Sequence, residues 1–147
     1  MRERNTLQII GSPSEPRNQG AEMFVTGAPK NWLRLDGLVL FIATIFLFAR
    51  EHQKWWIYPL LLFVPDIFML GYLKNSKLGA LIYNAGHSYF LPGVVIYLGW
   101  LQHYPLEIAI GLIWVGHVGF DRFFGYGLKY DTGFKQTHLG SLEKPKS

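Results

Sequence analysis

Four side chains of the metal-ligand type, Asp66, His87, His117 and Asp121, fall inside the apolar middle of this 147-residue chain. An ionisable group at bilayer depth costs roughly 2.5 to 3.5 kcal/mol on insertion scales, so such groups usually face a bundle interior and often mark function. His117 and Asp121 are spaced i, i+4 and project from one face of a helix, a turn apart. Asn84 and His87, spaced i, i+3, do the same on the preceding apolar segment. Counted from the nearer ends of their segments, Asp66, His87 and His117 sit about seven to nine residues in, a shared depth near 10 to 14 Å at about 1.5 Å per residue. Two imidazoles and two carboxylates meeting there would suit a divalent metal such as Zn, Fe or Mn, and such an ion can activate water as a nucleophile. The same groups also have a purely structural use: an Asp paired with His or Arg122, and an Asn bonded across helices, can fix helix register without chemistry.

A second group of chemistry-bearing residues follows the last apolar segment. In DRFFGYGLKYDTGFKQTHLG, residues 121–140, the cations Arg122, Lys129 and Lys135 are interleaved with Phe, Tyr and Gly. This is an interfacial composition that could hold an anionic headgroup or a phosphorylated substrate, or that could serve as ordinary membrane anchoring. Tyr83, Asn84 and His138 are candidate supporting polar groups; His138 is either solvated or folded back under the bundle as a further ligand. No GxSxG elbow surrounds Ser88, and neither a P-loop nor a dinucleotide fingerprint occurs. With no Cys, thiolate nucleophiles, iron–sulfur clusters and Cys-ligated zinc are excluded.

Positioning that polar layer requires apolar elements of membrane length. Half of the chain is drawn from AVILMFWYC and only 16% is charged. The mean hydropathy of +0.14 is modest because polar ends dilute the middle. Four spans are expected, at about 32–49, 55–73, 78–101 and 106–124, with Trp55 and Trp56 as interfacial aromatics and Pro59 and Pro65 kinking the second. The fold class is therefore all-α, an integral membrane bundle of four transmembrane helices joined by short links. Residues 1–31 read as a flexible polar N-terminal tail, 32–128 as the transmembrane domain and 129–147 as a cytoplasmic C-terminal tail. Met23 is an alternative start to Met1.

An even number of spans leaves both termini on one side. That side collects Arg2, Arg4, Arg17, Lys30, Arg34, Lys74, Lys77, Lys129, Lys135, Lys144 and Lys146, against Arg50 and Lys54 opposite, so both termini are predicted cytoplasmic. The expected location is the inner cell membrane. The net charge of +4 then points to anionic lipid headgroups on the cytoplasmic side, not to nucleic acid, because the cations flank apolar segments. A homo-oligomer is compatible with this arrangement.

The strings PDIFMLGYL (65–73), YNAGHSYFLP (83–92) and HVGFDRFFGYGLKYDTGFKQTHLG (117–140) carry the patterns PDxxMLGY, YNxxHxY and HxxxDRxxGYGLKYxTGFKxTHLG. Together they resemble an uncharacterised family of small bacterial membrane proteins, the domain of unknown function 4260, over about residues 32–140. The resemblance implies a bacterial protein of four spans and brings no activity with it. A looser similarity, by analogy only, links the His and Asp layer to intramembrane metal-dependent hydrolases of the ceramidase and adiponectin-receptor kind. Three functions are consistent with these features: an intramembrane metal site acting on a lipid or other membrane substrate, a non-enzymatic component of a membrane complex, and proton or small-solute transport by an oligomer.

Overall fold

The computed structural model describes residues 24–142; of the expected flexible tail 1–31, residues 1–23 with Arg2, Arg4, Arg17 and the alternative start at Met23 lie outside the described residues, as do Lys144 and Lys146, whereas residues 27–31 form the start of the first helix. The first helix, α1 (Gly27–Arg50), is apolar nearly all round and buries only Gly37, Thr44 and Phe48 against the rest of the chain. Among the described residues it alone is both long and apolar enough to cross a membrane as one continuous helix.

Proline placement breaks the next apolar segment. α2 (Ile57–Leu61) is a single turn and a half, and the chain continues as a 3₁₀ helix over Val64–Leu73. Pro65 has no N–H to give the Leu61 carbonyl and its ring crowds that turn, so an uninterrupted α-helix cannot pass through it. Ten residues is long for a 3₁₀ helix, whose runs seldom exceed three or four residues, and such stretches often mark functional positions. The third segment is divided as well. α3 (Ser76–Gly86) begins under an Asn75 side chain that accepts the Leu78 N–H at 2.8 Å, and ends at His87. α4 (Phe90–Gln102) restarts immediately, with Pro92 in its first turn, where a missing N–H costs nothing.

The fourth segment is one continuous helix, α5 (Pro105–Phe124), and it is the axis of the fold. It starts with Pro105 and ends in a Schellman turn. Gly125, at φ 92°, donates to the Arg122 carbonyl at 3.0 Å, and Tyr126 donates to the Asp121 carbonyl at 2.8 Å. Helices α1 and α4 pack on α5, while α3 packs on the 3₁₀ helix. The closest approach joins α1 to α5 at Gly37 and Gly119, where a Cβ on either residue would lie within 2.7 Å of the other's carbonyl oxygen. Small residues are the usual means by which membrane helices bring their backbones together. Phe48, Tyr58, Leu62, Ala109, Leu112 and Ile113 form the apolar core on one side of this crossing.

Beyond α5 the chain folds back. β1 (Gln136–Thr137) and β2 (Gly140–Ser141) form a small antiparallel hairpin, with Lys129 bridged to Thr137. Thr137 and Leu139 are fully buried. The N–H of Val25 donates to the His138 carbonyl at 2.8 Å, so the approach to α1 and the C-terminal segment lie side by side.

Candidate metal centre

The broken segments deliver the ligands. The 3₁₀ helix presents Asp66, the end of α3 presents His87, and successive turns of α5 present His117 and Asp121. One ligand atom from each of the four lies within 4.8 Å of all the others. The two Nε2 atoms are 3.0 Å apart. Asp66 Oδ1 is 3.5 Å from His87 Nε2 and 3.6 Å from His117 Nε2. Asp121 Oδ2 is 3.7 Å and 3.9 Å from the same two nitrogens. In a tetrahedral zinc site with bonds of about 2.0 to 2.1 Å, neighbouring ligand atoms are about 3.3 to 3.4 Å apart. The measured edges bracket that spacing.

The rings are held in orientation from behind. His87 Nδ1 lies 3.0 Å from the Tyr83 carbonyl, which can only accept, so this nitrogen carries a proton and Nε2 is the ring atom turned toward the centre. The Tyr83 ring stacks on the imidazole at 3.7 Å between centroids. The Tyr83 hydroxyl in turn donates to Asp121 Oδ2 at 3.3 Å. His117 is completely buried, and the Leu62 carbonyl faces its ring. Phe63 covers this imidazole edge-on. Four groups able to act as acceptors thus meet at one point, and only a shared proton or a cation between them relieves their mutual repulsion. The donor set and its spacing fit a divalent ion, and Asp66, the more exposed carboxylate, is the ligand nearest the opening.

That opening is a cavity of about 250 Å³ lined by Asp66, Asp121, Tyr83 and Lys129 together with Phe63, Met69, Phe120, Tyr126, Phe134 and Leu142. Lys129 is 5% exposed. Its ammonium donates to the Phe134 carbonyl at 2.8 Å and lies 3.4 Å from the Phe134 ring centroid and 4.7 Å from that of Tyr83. Burial, the largest cause, pushes the Lys129 pKa down to about 8, against the pull of Asp121 and Asp66. Asn84 does not reach the ligands. Its side-chain amide accepts the Lys129 N–H at 2.7 Å and donates to the Lys129 carbonyl at 2.8 Å, fixing the segment that carries the cation.

The other candidate cations lie elsewhere. Arg122 sits 4.3 Å over the Tyr89 ring, in a separate recess shared with Asp36, and Lys135 is exposed. His138 is half-buried against Gly127, with its pKa lowered mainly by burial, and is not one of the four converging ligands. Tyr72 and Phe134, which wall the ammonium, were not singled out by the sequence. Phe134 belongs to the aromatic-interleaved segment and Tyr72 to the 3₁₀ helix, and nothing local pairs them, because they meet only when the C-terminal segment folds back onto that helix. A separate, wholly apolar recess of about 310 Å³ between Leu61, Pro65, Phe68 and Trp114 carries no group for chemistry.

Residues 30–142 match the family described as Domain of unknown function (DUF4260). The chain belongs to that family. No curated protein and no solved structure matches it. The family description assigns no activity, so the chemistry of this site has to be argued from its own atoms.

Proposed function

We propose that this is a multi-pass protein of the inner cell membrane, with four spans and both termini cytoplasmic, that holds a divalent metal on Asp66, His87, His117 and Asp121 and hydrolyses a lipid or another membrane substrate. The observation that carries the metal reading is the convergence of four ligand atoms within 4.8 Å from three separate elements. Support for the membrane reading comes from the surface: Phe46, Leu60, Ile67, Leu81, Phe90 and Trp100 are each more than 60% exposed. Water disfavours apolar exposure on that scale, whereas acyl chains accommodate it. The adjacency of Val25 and His138 accords with termini on a common side.

A bound divalent ion would supply Lewis acidity and an activated water. The chain's own contribution is positional. Tyr83 fixes the tautomer of His87 through its carbonyl and the carboxylate of Asp121 through its hydroxyl. Phe63 and the burial of His117 keep bulk solvent from the inner side. The test is elemental analysis of detergent-purified protein, wild type beside His117→Ala, after loosely bound ions are washed out. Near-stoichiometric metal that is lost in the variant supports the reading and justifies a lipid-hydrolase screen. Folded wild-type protein without metal would instead make the four groups a structural polar layer in a membrane assembly.

A further inference from the structure

The cavity beside the four ligands contains one cation that the metal reading does not use. Lys129 is almost completely buried, and one of its three N–H donors is taken by the Phe134 carbonyl. Carrying an ammonium into such a place is costly unless opposite charge is near. Without a metal, that charge is provided by Asp66 and Asp121, which line the same cavity. A divalent ion reverses the balance: its two positive charges neutralise the two carboxylates and leave the ammonium uncompensated. The loaded cavity then carries a single positive charge within walls that are otherwise uncharged, mostly apolar with Tyr83 and Tyr126 among them.

We propose that this cavity receives the oxyanion head of an amphiphile, with Lys129 as the cation that holds it beside the four ligands. The inference rests on the metal reading above and names the substrate class for that site. Lysine serves phosphate and similar groups as a point charge. At about 250 Å³ the cavity is smaller than the roughly 300 to 1,000 Å³ that enclose whole drug-sized ligands, so it admits a head and not the tails. The tails have an apolar path at its mouth, where Phe63, Phe134 and Leu142 are each more than a third exposed. Arg122 and Lys135 take no part, because one faces Tyr89 and Asp36 and the other faces outward.

The experiment is a calorimetric titration of zinc-loaded full-length protein in non-ionic detergent with dihexanoylphosphatidylglycerol, dihexanoylglycerol and inorganic phosphate, with zinc content measured on every sample. Wild type should bind the phosphatidylglycerol at least about tenfold more tightly than the uncharged diglyceride. Lys129→Met, which keeps the stem on its aromatic walls, should lose that preference while retaining zinc. Displacement by inorganic phosphate at similar concentration would assign the site to a soluble oxyanion, and its failure would assign it to a lipid headgroup. No preference in wild type, or an undiminished one in a zinc-retaining K129M, overturns the inference. Should K129M not fold, the wild-type comparison of charged with uncharged lipid decides alone. Wild type that takes up no zinc would overturn the metal reading and, with it, this inference; zinc present without a preference would overturn this inference only.

Discussion

Replacing Asn84 by Ala should free the C-terminal segment while leaving the helices in place. The Asn84 amide pairs with both backbone groups of Lys129, at 2.7 and 2.8 Å, as a neighbouring strand would. Each such bond contributes about 1 kcal/mol net, and the buried Lys129 N–H left without a partner adds about 1 to 2 kcal/mol. The total is roughly 3 to 4 kcal/mol, acting on the opening of the 128–142 segment and not on the whole bundle. At 1.4 kcal/mol per factor of ten, amide hydrogen exchange there should accelerate by roughly 140- to 700-fold. The Lys129, His138 and Tyr130 amides, bonded to Asn84, Leu128 and Gln136 respectively, are the reporters. Amides of α5 around Leu112 and Ile113 are the controls, since both residues lie in the apolar core. Unchanged exchange in the segment, or equal acceleration in α5, would refute the idea that Asn84 is the clasp.

Tyr83→Phe removes the hydroxyl bonded to Asp121 but keeps the ring stacked on His87, so zinc affinity measured by chelator competition should weaken by about 10- to 100-fold with helix content unchanged. Gly119→Ala places a Cβ against the Gly37 carbonyl at 2.7 Å, and the forced separation of α1 from α5 should cost about 1 to 3 kcal/mol in thermal unfolding; an unaltered midpoint would contradict the packing described. Lys129 titrates near 8 when folded and near 10.5 when unfolded, so the unfolded chain binds more protons between those values and stability should rise from about pH 8 to about 10.5. Wild type should show that rise and Lys129→Met should not; parallel pH profiles would show that the burial of the ammonium carries no penalty.

Much of the scaffold was legible from composition alone. Apolar runs bounded by charge locate α1 and α5, because a helix that must satisfy its own backbone in an apolar setting needs little else to declare it. The prolines announced an interruption in the second segment, and Pro65 accounts for its change from α to 3₁₀ geometry. They could not say that the third would also divide at His87, which follows from how α3 packs on the 3₁₀ helix while α4 packs on α5.

The candidate ligands were legible for a related reason. Asp and His are expensive in apolar segments, so their presence at common depth is informative, and the i, i+4 spacing of His117 and Asp121 is a property of any helix. Their approach to within 4.8 Å of one another was not determined by spacing. It depends on the 3₁₀ helix, the end of α3 and α5 meeting around one point. Tertiary structure also sorted the three cations of the C-terminal segment, which look alike in sequence: Lys129 is drawn under the bundle by Asn84, 45 residues away, while Arg122 turns to Tyr89 and Lys135 to the outside. Sequence by itself determined which groups would be costly to bury. Only the folding back of residues 125–142 decided which of them share a cavity, because that contact is made by side-chain pairing over long range and leaves no periodic trace in the chain.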